Sequence, residues 1–574
     1  FEKKLHSLWE SLKAKDREQA SNLAKELEGL IKSHLPKSFT DQTIDLIGAL
    51  AFALIVAILI RQMWFEFYVI PTGSMRPTLK EQDYLVVSKT DFGINTPLRT
   101  EHFYFDPDLV KRGEIVVFSG ENMDIRDVNT TYFYLIPGKK QYVKRLIGKP
   151  GDTLYFYGGL LYGIDSQGNE ITDFQKPWFE KIEHIPFIHF EGKAITSNTP
   201  TNGIFSPVLL YQMNEPVAKL YVTPTGQFGG EVLQRKVADF GDLWGVKNFA
   251  MGALLTKEEA IEQGLTPTVD APLYLRIVHH PTLHPARLIK DEYSRLRPAL
   301  SYSYSLLPIS DVQAQNLFRH LYTSRFLVKN GIAYRYGVNP KDANPLYQPK
   351  VQDVPNGTYE FQDGNLYRIG FAGIALKQPP THPLNHYSAE RTSLFYNLGI
   401  EMDDHFLPKS KLSPFAPSRY VYFRNGDLYL MGHPIILKDD PILKELETNE
   451  MSKAENTSYA PFVDSRPPIK EDGSLDKDFI KKYGLKIPDK MYLMLGDNHA
   501  FSSDSRVFGF VPQGNIRGGP SFIFWPPSHR WGSLPQPSHP WVTFPNITIW
   551  SLFVIIVVVY AIYLRSRFKK PPKF

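Results

Sequence analysis

The chain has 574 residues, and 65 Lys and Arg against 60 Asp and Glu give it a formal charge of +5. Its 43% hydrophobic and 13% aromatic content describes a packed protein of two or more domains and excludes global disorder. No basic stripe interleaved with aromatics stands out, so no nucleic-acid partner is expected. With no cysteine there is no disulfide, thiolate nucleophile or cysteine zinc site. That leaves either side of a membrane open.

In chain order, residues 1–43 predict an amphipathic helix or helix pair. Leu5, Leu8, Trp9 and Leu12, then Leu23, Leu27, Leu30 and Ile31, follow the helical period, with Lys and Glu between them. The run LIGALAFALIVAILI (Leu46 to Ile60), inside a segment of residues 44–65, is long and apolar enough for a membrane anchor. It lies too far into the chain for a simple cleavable signal peptide, so an uncleaved anchor is expected. A second uncharged run, ITIWSLFVIIVVVYAIYL, sits within residues 546–564 and is followed by the basic tail RSRFKKPPKF, residues 565–574. Basic clusters stay cytoplasmic, which predicts both termini inside and residues from about 66 to about 545 outside.

Between the two runs the sequence reads mostly as β structure. DYLVVSKTDF, GEIVVFSG, QYVKRLIGK and DTLYFYGG are short, β-branched or aromatic, and bounded by Gly, Pro and Asp. Capping boxes at Thr256/Glu259 and Ser310/Gln313 predict two helices. A Gly-x-apolar-Tyr pattern recurs at 157–164, 329–337, 362–370 and 424–432, three times after Asn-Gly or Asp-Gly, which predicts two-residue hairpins.

Ser74, in YVIPTGSMRPTL, is a candidate nucleophile that needs a base from elsewhere, because neither G-x-S-x-G nor S-x-x-K surrounds it. Histidine is one option. His184 and His189 lie in an apolar stretch, and His279, His280 and His284 sit in a proline-broken HHPTLHP that reads as a polar loop rather than a zinc site. Lysine is the other option, provided burial keeps it neutral. Lys144, in YVKRLIGKPGD, shares a strand face with Tyr142 and Leu146, with Val143 and Ile147 on the opposite face. A third stretch, MLGDNHAFSSDSRVFGFVP, places a turn at Gly496-Asp497-Asn498 and lets Asp504 and Arg506 pair, which alone would be a weak surface ion pair.

Taken in order, IPTGSMRPTL, DYLVVSKTDFGI, RGEIVVF, YVKRLIGKPGD, GDN…SSDSRVFGFVP and GPSFIFWPP resemble the successive boxes of bacterial type I signal peptidases, membrane-bound Ser/Lys proteases. The likeness covers roughly 44–165 and 485–530. It implies a mainly β catalytic domain between two transmembrane helices, split into residues 66–170 and 485–545 by a large β-rich insertion at 171–484 of unassigned role. It further implies Ser74 as nucleophile, Lys144 as general base, and an oxyanion hole from the Ser74 N–H and Thr72. Ser502 would orient the lysine, with Asp504 and Arg506 in support. Pockets for small side chains would be lined by Tyr68, Ile70, Pro71, Met75, Leu79, Tyr142 and Val143, and an extended peptide would add there as a strand.

The expected substrates are signal-peptide-bearing preproteins cleaved at the outer face of the bacterial cytoplasmic membrane. The phospholipid bilayer is the other partner, and no cofactor or metal is expected. Three departures stand out: His499-Ala500-Phe501 in the last box, the C-terminal span and the long insertion. The competing expectation is a catalytically inactive, membrane-anchored scaffold on the same frame.

Overall fold

The computed structural model describes residues 1–34, 39–123, 125, 128–132, 136–186, 194–196, 208–212, 215–222, 228–232, 240–279, 282–290, 296–301, 303–335, 350–398, 419–455, 461–499, 502–528 and 530–569. The chain divides into two compact units, Phe1–Trp64 and Phe65–Phe574.

The first unit is helical. α1 (Glu2–Lys13) and α2 (Arg17–His34) form the expected pair, with Ala20 and Leu27 buried and Lys4 bonded to Glu26 at 2.8 Å. α3 (Phe39–Met63) has no proline and carries a 22-residue stretch, Gln42–Met63, long and apolar enough to cross a bilayer. In the second unit, α4 (Phe544–Lys569) contains a comparable 20-residue stretch, Phe544–Tyr563.

The rest of the second unit is mainly antiparallel β. One sheet carries the stretches singled out above. Its strands are β1 (Phe65–Val69), β2 (Tyr84–Ser88), β3 (Ile115–Ser119), β4 (Gln141–Gly148), β5 (Met491–Leu495), β6 (Val511–Pro512) and β7 (Ile516–Trp525). They lie in the order β1-β2-β7-β3-β4-β5-β6, with β8 (Gly532–Ser533) paired to β7. The last part of the chain therefore returns into the middle of a sheet begun by the first, as sequence order alone would not suggest. Side-chain alternation divides the sheet's contacts. Leu85, Val87, Ile115 and Val117 gather on one cluster with Ile70, Met75 and Leu79, whereas Val116, Phe118 and Leu146 join another with Tyr492 and Phe508.

The insertion is β-rich, as expected. A six-stranded sheet runs Tyr304–Ile309, Leu273–His279, Phe249–Leu255, Arg419–Arg424, Asp427–Leu430, His433–Ile436. A five-stranded sheet runs Ile332–Arg335, Phe326–Lys329, Gly357–Gln362, Asn365–Ile369, Ala375–Lys377, and the two share a single apolar core that includes Leu275, Phe326, Tyr359 and Val421.

The four repeated patterns are all two-residue hairpins. Gly158-Gly159, Asn330-Gly331, Asp363-Gly364 and Asn425-Gly426 each have two consecutive positive φ angles, the turn whose twist matches a hairpin. Tyr336 and Gly337, at the end of the second pattern, lie outside the described residues. Both capping boxes form, on Lys257–Glu262 and Asp311–Arg319.

Candidate active site

β1 ends at Val69, and the chain loops through residues 70–83 before returning antiparallel as β2, with Tyr68 opposite Leu85. The loop closes on itself: Ile70 N–H donates to Asp83 O at 2.9 Å and Gln82 N–H to Ile70 O at 2.8 Å. Ser74 stands in this loop, only 8% exposed. Gly73 does not carry a left-handed φ. Instead a Cβ there would fall 2.6 Å from Glu81 Oε1 and 3.1 Å from the Arg76 side chain, so it is crowding that requires glycine.

Lys144 lies in the middle of β4, directly opposite Val116 of β3. Its face is shared by Val116, Phe118 and Leu146, all fully buried, and its Nζ reaches Ser74 Oγ at 2.7 Å. Burial in this apolar setting pulls the amine from 10.5 down to about 8; Asp504 and Asp497 draw it back up and Arg506 opposes them. The Thr72 hydroxyl, exposed at the loop's outer edge, is 3.5 Å from Ser74 Oγ. Ser74 and Lys144 are thus brought together from positions seventy residues apart, with Thr72 beside the serine.

The third stretch braces the other two. Asn498 N–H donates to Ser74 O and its side-chain amide to Gly73 O, both at 3.1 Å, so the Gly-Asp-Asn turn grips the loop carbonyls. Asp504 caps the short helix Ser505–Phe508, accepts from Gly496 N–H at 2.9 Å and is bound bidentately by Arg506 at 2.9 and 2.7 Å. Read alone the Asp504–Arg506 pair looked like a surface ion pair; in the fold it is buried. Burial would raise the Asp504 carboxyl, but Arg506 holds it below the usual carboxylate range.

Ser502 Oγ lies against Gly496, where a Cβ would come within 2.2 Å of it, and its hydroxyl helps Arg506 hold the Asp504 carboxyl low; among the described residues it makes no hydrogen bond to Lys144. Of the altered turn, His499 is buried with its ring edge-on to His184 at 6.0 Å, and Ala500 and Phe501 lie outside the described residues.

The expected pocket residues divide. Ile70, Met75 and Leu79 are buried in one apolar cluster with Tyr68 and Val143 packed against it, while Tyr142 stacks on Phe118 at 5.8 Å in the other cluster. Pro71 is exposed beside them. Tyr68 OH bonds to Gln141 Oε1, tying β1 to the start of β4. Among the described residues β1 pairs only with β2, and Gln141–Val143 pair only with β3, because β5 joins β4 from Arg145 onward.

Several supporting residues were missed by sequence reasoning. Arg145, next to Lys144, points the other way and is fully buried. It binds Asp497 bidentately through Nε and Nη2, each at 2.7 Å, and Thr78 Oγ1 donates to the same carboxylate at 2.5 Å. The only available signal was that Arg145 and Asp497 sit inside the matching boxes.

Among the described residues no histidine hydrogen-bonds Ser74, whose Oγ meets Lys144 and Thr72. His279 is buried beside Glu450 and stacked on Phe462, and His184 is stacked on Phe179. His189, His280 and the side chain of His284 lie outside the described residues. Elsewhere His320, Asp363 and His433 bring potential metal-ligand atoms within 4.8 Å of one another. The two rings stack at 3.7 Å and 21°, so their in-plane lone pairs run side by side rather than converging on one ion.

The fold thus defines a mainly β domain, with a large β-rich insertion, in a chain bearing two helices apolar enough to span a membrane. A family model described as signal peptidase, peptidase S26, matches residues 43–181 and 416–525. Over 194 residues the chain is 34% identical to the signal peptidase I of Rickettsia rickettsii and 29% to that of Rickettsia conorii, covering 32% of this chain and 65% of each relative. The signal peptidase I of Buchnera aphidicola is 33% identical over 101 residues, 18% of this chain and 27% of that protein. Across residues 43–181 and 416–525 the chain resembles the signal peptidase S26 family. It spans just under two thirds of the length of the Rickettsia relatives. The match resumes at residue 416, ahead of the 485 that the sequence boxes suggest.

Proposed function

We propose that this chain is a membrane-anchored serine endopeptidase that removes N-terminal signal peptides from exported preproteins. The observation that carries the reading is the 2.7 Å contact between Ser74 Oγ and a buried Lys144 amine whose pKa is pulled down to about 8. Neutral Lys144 takes the Ser74 proton as Oγ attacks the carbonyl carbon before the cleavage site. The Ser74 N–H and the Thr72 hydroxyl donate to the developing oxyanion, a contribution of about 3 kcal/mol per donor in comparable sites. As the intermediate collapses, the C–N bond breaks and Lys144 returns the proton to the leaving amine. Lys144 then removes a proton from the water that hydrolyses the ester, and Ser74 recovers its own.

An extended peptide adds as a strand between β1 and Gln141–Val143, with main-chain hydrogen bonds to both. Ile70, Met75 and Leu79, buried in one apolar cluster, line the pockets that take small side chains at the first and third positions before the cut. Phe67 and Val69 of β1 and Phe522 of β7 lie in adjoining rows of one sheet face and are exposed, which suits contact with lipid. With both termini cytoplasmic, this face and the site lie at the outer surface of the cytoplasmic membrane, where a signal peptide presents its small-residue cleavage site.

The test is cleavage of a preprotein bearing a signal peptide with alanine at both small-residue positions. Ser74→Ala and Lys144→Ala each abolish product in full-length protein reconstituted in lipid. Product formation by either variant at the wild-type rate refutes the Ser/Lys assignment.

A further inference from the structure

The insertion reaches the back of the nucleophile loop. Along the strand Gly357–Gln362, Tyr359 and Phe361 turn into the insertion's own core, so Glu360 and Gln362 point the opposite way. They meet Arg76 and Lys80. Arg76, two residues after Ser74, donates through Nη2 to Glu360 Oε2 at 2.9 Å and through Nε to Glu81 Oε2 at 2.9 Å. Lys80 bonds Glu360 Oε1 and donates to Gln362 Oε1 at 2.8 Å. Arg325, just ahead of the neighbouring strand, donates to Glu360 Oε2 at 3.1 Å and to Gln82 Oε1 at 3.3 Å. Glu360 is fully buried and Arg76 is 1% exposed. A second contact lies alongside: Trp525 Nε1 at the end of β7 donates to Ala372 O at 2.9 Å.

We propose that Glu360 is a positioning residue for the serine, closing a buried ion cluster that holds the loop of residues 72–83 so that Ser74 faces Lys144. Three cations (Arg76, Lys80, Arg325) meet two carboxylates (Glu81, Glu360) in this cluster. Without Glu360 they meet one, away from water, where uncompensated charge is costly and side chains rearrange to escape it. Burial would raise the Glu360 carboxyl, but Arg76, Lys80 and Arg325 hold it well below the usual carboxylate range, so it is anionic throughout the working range. Arg76 N–H donates to Gly73 O at 3.1 Å, so a shift of Arg76 moves the residues flanking Ser74 directly. The insertion is therefore part of the catalytic frame, and a peptide bound between β1 and β4 does not touch Glu360.

This inference rests on the proteolytic reading, and the test separates the two. Full-length Glu360→Gln and Glu360→Asp are assayed on the same alanine-containing preprotein, and hydrogen exchange is followed at residues 72–83 and at β3. Glu360→Gln lowers kcat about a hundredfold, as expected for roughly an ångström of misplacement, and leaves KM within about twofold. Exchange quickens at the Arg76, Leu79 and Gln82 amides and stays slow along β3. Glu360→Asp keeps the charge and recovers part of kcat, and it serves as the test variant if Glu360→Gln does not fold. Unchanged kcat, a loss confined to KM, or unchanged exchange at 72–83 overturns the proposal. If the wild-type chain cleaves nothing, the proteolytic reading fails, and the exchange measurement alone decides whether Glu360 holds the loop.

Discussion

Titrating cleavage from roughly pH 6 to 10 reads the proton on Lys144, because only its neutral form accepts the Ser74 proton. An amine with a pKa of about 8 is roughly 9% neutral at pH 7, and one left at 10.5 is about 0.03% neutral, so burial supplies roughly 300-fold more base. The rate constant kcat/KM therefore climbs about tenfold per pH unit below the midpoint and levels off above about 8. Asp504 raises the Lys144 pKa, so Asp504→Asn moves this limb to lower pH. Lys144→Arg has no neutral form in this range and gives no limb at all. The assay is initial-rate cleavage of a fluorescent preprotein by lipid-reconstituted enzyme in buffers of constant ionic strength. The nearby histidines cannot imitate the result: burial pushes His184 down to about 3 and His499 well below its ordinary value, so both stay neutral. A midpoint near 6.5, or one that persists in Lys144→Arg, refutes the assignment of the base.

Three further outcomes follow from the same geometry. Asp497→Ala strands the buried Arg145 guanidinium and costs about 3–5 kcal/mol, read as a lowered melting temperature; adding Arg145→Met restores part of it by removing the orphaned charge. Gly496→Ala places a Cβ 2.5 Å from Ser74 O and 2.2 Å from Ser502 Oγ, so kcat falls by more than about tenfold while the far-ultraviolet spectrum is retained. Because the natural chain has no cysteine, single cysteines placed at Lys4 and at exposed Lys257 test the topology. An impermeant maleimide on intact cells labels position 257 and not position 4, and the reverse pattern overturns the proposed orientation.

Legibility varied with the range of the interaction involved. The four hairpins, both capping boxes and the two apolar helices were readable because each depends on residues a few positions apart, where turn chemistry and hydrophobic run length act directly. The resemblance puts both Tyr142 and Val143 at the pocket, whereas which apolar cluster each side chain joins is set by packing: Tyr142 stacks on Phe118 on the Lys144 face, and Val143 packs against Ile70, Met75 and Leu79. The constraint on Gly73 likewise comes from tertiary crowding, because Glu81, eight residues on, lies where a Cβ would be.

By itself the sequence determined which side chains could do chemistry: a serine after an apolar anchor, a lysine on an apolar strand, and the turn that accompanies them. It could not determine that the lysine is neutral enough to act. That follows from Val116 and Leu146 closing over it once β3 and β4 pair, because dryness is a property of packing and not of neighbouring letters. Nor could it show that Glu360, 286 residues beyond Ser74, stands behind the nucleophile loop. A buried charge must find its partners wherever the fold brings them, and only the tertiary structure sets Glu360 against Arg76, Lys80 and Arg325.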